Sequence, residues 1–138
     1  MKYSLPLMLF LLLSACNPTP QKETKANKPA KGEFAFLLQY NGKLPSEVGF
    51  LTNHIVERRL ANILKDRFQD FMAGTQCGKP IVVDGSTIHS VYVDCNNGTL
   101  EVRRVDIDVA DDVVWVSIVS PERIEGFTDD NTVPVPAR

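Results

Sequence analysis

The chain has 138 residues, of which 43% are hydrophobic and 23% are charged, with 15 basic and 17 acidic side chains. This length fits a single domain and argues against a multidomain enzyme and against Rossmann or TIM-barrel catalysts. The net charge of -2 argues against a nucleic-acid partner, because nucleic-acid-binding domains usually carry a clear basic excess.

Residues 1–15 have the pattern of an export signal. Lys2 supplies a positive charge, and residues 5–13 form an almost unbroken apolar run that is too short for a membrane-spanning helix. The next segment resembles the lipobox of bacterial lipoproteins: Leu13-Ser14-Ala15-Cys16. The resemblance implies cleavage before Cys16 and acylation of this cysteine, which would anchor the chain stably in a membrane. The alternative is an ordinary signal peptide with an incidental cysteine.

Residues 16–32 are predicted to be the acylated cysteine followed by a disordered tether. The segment after Cys16 contains four lysines and three prolines but no large apolar residue, so it has nothing to bury. The lysines are alternatively a patch for lipid headgroups, but we favour a solvated spacer because a lipid anchor is already predicted. Asn17 follows the cysteine, and by analogy with enterobacterial sorting this favours the outer membrane, facing the periplasm.

The remainder, residues 33–138, carries 10 basic and 16 acidic side chains, a net charge of -6. Its first part is rich in helix signals. The apolar run at residues 34–38 fits either a first strand or a helical turn. Asn53 and Gly74 are a suitable N-cap and C-cap for one long amphipathic helix over about residues 54–73. The apolar side chains of this helix recur at three- and four-residue steps and form one stripe: Val56, Leu60, Ile63, Leu64, Phe68, Phe71 and Met72.

After Gly74 the apolar period changes from about 3.6 to 2, which indicates strands. We predict strands at residues 81–83, 87–93, 99–109 and 113–119, with Ile124 and Phe127 closing the sheet. The apolar residues of the third strand change parity between Val102 and Val105, and this predicts a β-bulge or a bend at Arg103-Arg104.

The predicted fold class is therefore α+β. An N-terminal helical segment packs on an antiparallel sheet of about four to five strands. The single domain spans residues 33–127, and residues 128–138 form a flexible tail.

Cys77 and Cys95 remain once Cys16 is assigned to the anchor. Two cysteines in an oxidising compartment predict a disulfide, which closes a loop of about 19 residues and is worth roughly 3 kcal/mol. The alternative is a metal site. However, no second pair of ligands lies nearby at metal spacing, and His54 and His89 are isolated in the sequence. We predict no metal and no cofactor.

We find no catalytic motif: the sequence has no Gly-x-Ser-x-Gly, no His-Glu-x-x-His and no phosphate-binding loop. Asp106 and Asp108 alternate with apolar residues and point to one face of a strand. Paired carboxylates on one face can perform acid–base work or bind calcium, but the solvent face of an amphipathic strand explains them equally well, and we favour it. We name no catalytic residue and interpret the chain as a binding protein rather than an enzyme.

Seven segments, in this order, carry a resemblance to a known family: Tyr40-Asn41-Gly42-Lys43-Leu44-Pro45-Ser46-Glu47-Val48-Gly49-Phe50-Leu51, Arg59-Leu60, Ile63-Leu64-Lys65-Asp66-Arg67-Phe68, Pro80-Ile81-Val82-Val83, Asp94-Cys95, Ile107-Asp108 and Val113-Val114-Trp115-Val116. The pattern, over about residues 36–120, resembles bacterial secreted proteins of the inhibitor-of-vertebrate-lysozyme (Ivy) type. The resemblance implies a periplasmic α+β sandwich. In that family a disulfide-braced loop, Cys-Lys-Pro-His-Asp-Cys, enters the active-site cleft of C-type lysozyme.

This chain departs from the family at that loop, because Cys95 is followed by neither the histidine nor the second cysteine. No inhibitory residue transfers by position. The candidate binding loop has the Cys77–Cys95 bridge as its brace and runs from Asp94 to Thr99, comprising Asp94, Asn96, Asn97, Gly98 and Thr99 beside Cys95. We expect an envelope binding protein that inhibits a basic, lysozyme-like muramidase. The alternative is an envelope-assembly or immunity lipoprotein that binds another bacterial protein.

Overall fold

The computed structural model describes residues 32–96 and 100–130. The predicted signal, Cys16 and all but the last residue of the predicted tether lie outside this range, as do Asn97, Gly98, Thr99 and residues 131–138. The described part has an α+β fold, as predicted. Four helical segments precede the strands: the 3-10 helix η1 (Ala35–Tyr40), α1 (His54–Leu64), the 3-10 turn η2 (Lys65–Arg67) and α2 (Phe68–Ala73).

The predicted single helix over residues 54–73 is interrupted. It begins as expected, with the side chain of Asn53 accepting a hydrogen bond of 3.0 Å from the Ile55 N–H, and it ends at Gly74. However, Lys65 has a φ of 51°, which the right-handed α-helix does not allow, and the chain passes through η2 before α2 begins. Apolar spacing alone does not reveal such a break, because residues on both sides of it still face the core.

Six strands pair in the described residues, against the four to five predicted: β1 (Cys77–Gly78), β2 (Val82–Asp84), β3 (Thr87–Val93), β4 (Val102–Asp108), β5 (Val113–Val119) and β6 (Ile124–Thr128). All pairs are antiparallel. The short strands β1 and β2 both pair with β3, and β4, β5 and β6 follow in order. The strand missing from the prediction is β1, which has only two residues and therefore no apolar period.

The bulge predicted at Arg103-Arg104 is wrong. Strand β4 is paired without interruption to both β3 and β5 over residues 102–108. Arg103 instead lies on the helical side of the sheet, above Gly74, where an added Cβ would come within 0.7 Å of its guanidinium. The apolar Val102 consequently belongs to the opposite face. The change of parity in the sequence therefore marks an apolar residue outside the core.

The core lies between the helices and one face of the sheet. Its residues include Leu37, Phe50, Val56, Leu60, Leu64 and Phe71 from the helical side and Ile88, Tyr92, Val105, Ile107, Val114, Val116 and Ile118 from the sheet. On β3, β4 and β5, the residues that face the helices are buried, apart from the half-buried Arg103. Those between them are half-buried or exposed, apart from the buried Val113. We call this second surface the open face, because none of the described helices packs on it.

Candidate functional site

The two ends of the sheet differ in chemistry, and we name them by their main features. The disulfide end carries Cys77 and Cys95 together with the β5–β6 turn. The Arg59 end carries the β2–β3 and β4–β5 turns and the side chain of Arg59. Strand β4 runs from the disulfide end to the Arg59 end, and its length places the two ends about 20 Å apart.

Arg59 binds several acidic residues at its end of the sheet. Its guanidinium donates to Glu33 at 2.9 Å, to Asp129 at 2.7 Å and to the backbone carbonyl of Asp112 at 2.8 Å, and it lies 5.0 Å from the centre of the Phe34 ring. Burial lowers the pKa of Arg59, but the hydrogen bond and charge of Asp129, helped by Asp112, raise it above its ordinary value. Arg59 therefore joins the start of the fold, helix α1, the β4–β5 turn and the end of β6.

The described chain begins and ends at the Arg59 end. Gly32 lies beside the carboxylate of Asp112. At the other terminus, Thr128 is the last residue of β6, and Asp129 accepts a 3.1 Å hydrogen bond from the Val114 N–H. The residues that begin the predicted flexible tail at position 128 are thus part of the sheet and of the Arg59 contacts.

The start of the candidate loop lies at the disulfide end, directly after β3. Asp94 is half-buried and accepts a 2.9 Å hydrogen bond from the Asn96 N–H, which closes a turn around the exposed Cys95. Asn97, Gly98 and Thr99 complete the predicted loop but lie outside the described residues. The chain resumes at Leu100, whose side chain is 80% exposed.

The predicted disulfide between Cys77 and Cys95 is confirmed, with a Cα–Cα distance of 5.3 Å. Cys77 lies in β1 and pairs with Val93 at the end of β3, two residues before Cys95. The bridge therefore fastens the first residues of the loop to the neighbouring strand. This brace limits the conformations open to residues 94–96.

An apolar row crosses the open face at the disulfide end. It consists of residues that lie opposite one another on successive strands: Val93, Val102, Val119 and Ile124. Ile124 is 46% exposed, and Leu100 follows the same parity as Val102. An exposed apolar surface with polar neighbours is typical of a protein-binding site.

Nearer the middle of the open face, His89, Arg104 and Asp106 form a polar cluster. His89 Nδ1 is 2.5 Å from Asp106 Oδ1, and Arg104 Nε is 2.7 Å from Asp106 Oδ2. Asp108 shares this face, as predicted, but its carboxylate accepts from Ser86 and from the backbone N–H groups of the following turn. The two carboxylates predicted to share a face are therefore engaged by separate partners.

A pocket of about 300 Å³ opens at the disulfide end on the helical side of the sheet. It lies between the turns that precede α1 and the end of α2, and it contacts β1 and β3. Its lining comprises Pro45, Ser46, Gly49, Phe50, Leu51, Thr52, Met72, Thr75, Gln76, Gly78 and Tyr92. This volume is at the lower limit of typical small-ligand pockets.

Tyr92 forms part of the pocket wall, and its hydroxyl group is held inside the protein. Ser90, two residues earlier on the same face of β3, donates a 2.8 Å hydrogen bond to the Tyr92 hydroxyl oxygen. Burial raises the pKa of Tyr92 well above its ordinary value of about 10, and the bond from Ser90 offsets only part of this effect. The wall is therefore uncharged at neutral pH.

Metal-ligating side chains do not gather anywhere in residues 32–96 and 100–130: no group of three histidine, cysteine or acidic residues is close enough together to hold an ion. His54 is exposed at the first turn of α1, and His89 is half-buried on the open face. In the same part of the chain, no helix combines the length and apolar character needed to cross a membrane.

Comparisons with known proteins return no match: no family model, no curated protein and no solved structure is similar to the chain.

Sequence reasoning found the bridge but missed both the pocket and the apolar row. The pocket is formed by residues that are far apart in the chain, such as Gly49, Gln76 and Tyr92. Its only local signal is the run of turn residues around Pro45. The apolar row did have a signal in the sequence, because Leu100 and Val102 do not share the parity of the core residues Val105 and Ile107. A strand end with apolar residues on its solvent face explains this pattern without a bulge.

Proposed function

We propose that this chain is a lipid-anchored binding protein of the bacterial envelope and that it binds a protein partner through its disulfide end without catalysis. One observation carries the proposal: the braced start of the loop lies at the end of the sheet opposite Gly32. An anchor at Cys16 would join the fold through Gly32, at the Arg59 end. The disulfide end would then be the end of the sheet farther from the point of attachment, and a flexible tether would leave it free to meet a partner.

The braced loop suits a binding role. A partner that contacts residues 94–96 meets a backbone already restrained by the bridge and by the Asp94 turn, so little conformational entropy is lost on binding. The polar residues of the loop can form hydrogen bonds with a partner. The nearby apolar row and pocket offer apolar surface, and its removal from water would favour binding. Such a combination is typical of protein interfaces.

For the partner we propose a basic muramidase of the lysozyme kind. Residues 33–138 carry a net charge of -6, which favours the approach of a basic protein. The periplasm, where the predicted anchor would place the domain, contains the peptidoglycan that such an enzyme attacks. The resemblance to Ivy-type proteins supports the same class of partner, although the loop differs.

The inhibitor proposal can be tested in a turbidity assay of cell-wall lysis. Residues 17–138, which retain every described residue, should slow at least one C-, G- or I-type lysozyme at tens of micromolar. The matched variant is Asp94→Ala with Asn96→Ala, which changes the loop and leaves the bridge in place. It should lose inhibition while keeping its fold. An absence of slowing against all three classes would reject the inhibitor proposal.

A second candidate is an envelope-assembly or immunity accessory that binds a resident bacterial protein. The apolar row on the open face favours it, because the row spans four strands, with Ile124 exposed and Val93, Val102 and Val119 half-buried, and could be covered by a permanent partner. Crosslinking of intact envelopes separates the two candidates. An accessory should yield a stoichiometric endogenous partner that is lost in Val102→Ser, whereas an inhibitor should yield none until lysozyme is added.

A further inference from the structure

The pocket at the disulfide end has an apolar floor and a polar rim. Pro45, Phe50, Leu51 and Tyr92 are buried and form its floor, and Met72 is half-buried beside them. Ser46, Thr52 and Gln76 are exposed at its mouth. Ligand pockets generally have this composition, with apolar walls and a few polar groups that orient the ligand.

None of the described residues that line the pocket carries a charge. Among these described residues, Tyr92 alone has an ionisable side chain. Burial keeps it protonated, and its hydroxyl oxygen is paired inside the protein with Ser90. A charged group entering this pocket would lose its hydration without gaining a counter-ion, which is costly. The pocket therefore selects an uncharged occupant.

The hydroxyl groups of the rim point to a second property of the occupant. Thr75 donates its hydroxyl hydrogen to the Met72 carbonyl at 2.8 Å, and Thr52 donates to the Gly49 carbonyl at 3.3 Å. Both threonine oxygens keep lone pairs, so they can only accept a further hydrogen bond. A group that complements these two oxygens is a donor, an N–H or an O–H.

Two glycines shape the wall. A Cβ on Gly78 would lie 2.8 Å from Pro45 and 3.2 Å from Tyr92, both of which line the pocket, and Gly49 has a φ of 59°. Gly78 thus allows β1 to approach the floor closely, and Gly49 turns the rim in a conformation that other residues rarely adopt.

We propose that this pocket receives the indole or phenol ring of a tryptophan or tyrosine side chain on a partner protein. Each ring is uncharged and apolar, and each bears one N–H or O–H donor that can reach the threonine oxygens. Such residues are the commonest anchors of protein interfaces. The choice of a protein as the source rests on the proposed function, which places a protein partner at this end.

Free ring compounds test the pocket without the partner. In ¹H–¹⁵N NMR titrations of residues 17–138, indole and phenol should shift the amide signals of Thr75, Gln76 and Gly78. Benzoate, which has a similar ring but a negative charge, should bind at least about tenfold more weakly. Equal binding of benzoate, or the absence of shifts at these amides with indole and phenol, would overturn the proposal.

Two variants locate the binding. Gln76→Trp places a ring at the mouth of the pocket and should abolish the indole-induced shifts, while Gln69→Trp, on the exposed side of α2, should leave them unchanged. Thr75→Val keeps the shape of the side chain but removes the acceptor oxygen. It should lower the affinity for indole by about tenfold and have little effect on the affinity for benzene. Unchanged indole binding in both Gln76→Trp and Thr75→Val would contradict the assignment.

The outcome is separable from that of the proposed function. If indole binds but no protein is captured at the disulfide end, the pocket is a binding site for aromatic rings and the proposal of a protein occupant is rejected. A partner that binds equally well to wild type and to Gln76→Trp would leave the binding function in place and reject the pocket as its anchor.

Discussion

The Arg59 end and the disulfide end stabilise the same sheet by different means. At the Arg59 end, one guanidinium joins the acidic residues Glu33, Asp112 and Asp129 and so holds both termini of the described fold. At the disulfide end, a covalent bridge joins β1 to the residues after β3, and a separate set of ion pairs centres on Glu125, which binds Arg67 and Arg123. The surface around the bridge stays uncovered in the described residues. The comparison suggests a division of roles, in which one end holds the chain together and the other offers a rigid surface to a partner.

The stability of the two ends should also respond differently to salt and to redox conditions. Ion pairs at the surface weaken as ionic strength rises, whereas a disulfide does not. The bridge instead depends on an oxidising compartment, in keeping with the predicted export of the chain. Variants at the Arg59 end should therefore change the salt dependence of the stability, and variants at the disulfide end should change its dependence on reducing agents.

The largest effect is expected from removing the bridge. The double variant Cys77→Ala, Cys95→Ala should lose about 3 kcal/mol of unfolding free energy, because the unfolded chain regains the freedom of the closed loop. Urea denaturation of oxidised wild type and of the variant measures the difference. Reduced wild type serves as the control and should match the variant. A loss below about 1 kcal/mol would show that the bridge does not constrain this end.

At the opposite end, Arg59→Met should cost about 2 kcal/mol, since it leaves partly buried acidic groups without their common partner. Arg58→Met is the matched control: Arg58 is 58% exposed and, among the described residues, pairs with Glu33 alone, so its loss should cost less than about 0.5 kcal/mol. The Arg59 effect should shrink in high salt. Equal losses of unfolding free energy for the two variants would show that Arg59 does not join the acidic residues at this end.

Alkaline pH should destabilise the fold through Tyr92. Its pKa is raised in the folded state, so the folded protein keeps this proton while the unfolded chain releases it near pH 10. The stability contribution is fully present below pH 10 and decreases above it, by about 1 kcal/mol at pH 11. Denaturation at pH 9 and pH 11 should show this loss in wild type and a smaller one in Tyr92→Phe. Identical pH dependence in the two proteins would contradict the assignment.

A smaller effect tests the break between α1 and α2. Lys65→Gly should raise the stability by about 0.5 kcal/mol, because glycine adopts a positive φ without the steric cost that lysine incurs. In an uninterrupted helix the same change would lower the stability by about 1 kcal/mol. The sign of the change in a denaturation curve therefore decides between the two structures.

The sequence predicted those features of the fold that depend on local patterns. Strands β3 and β5 have their predicted bounds, and the Asn53 cap and the disulfide are present. The features missed depend on contacts between distant segments. Strand β1 exists because Cys77 and Gly78 pair with β3, and Arg103 lies in the helical layer because Gly74 leaves room for its guanidinium.

Crosslinking from defined positions tests the central claim most directly. A benzoylphenylalanine can replace Leu100 at the disulfide end or the exposed Asp84 at the Arg59 end of the full-length protein in cells. The cells are then irradiated with and without added lysozyme. We expect protein adducts from position 100 and none from position 84. Adducts from position 84 alone, or from neither position under both conditions, would contradict it.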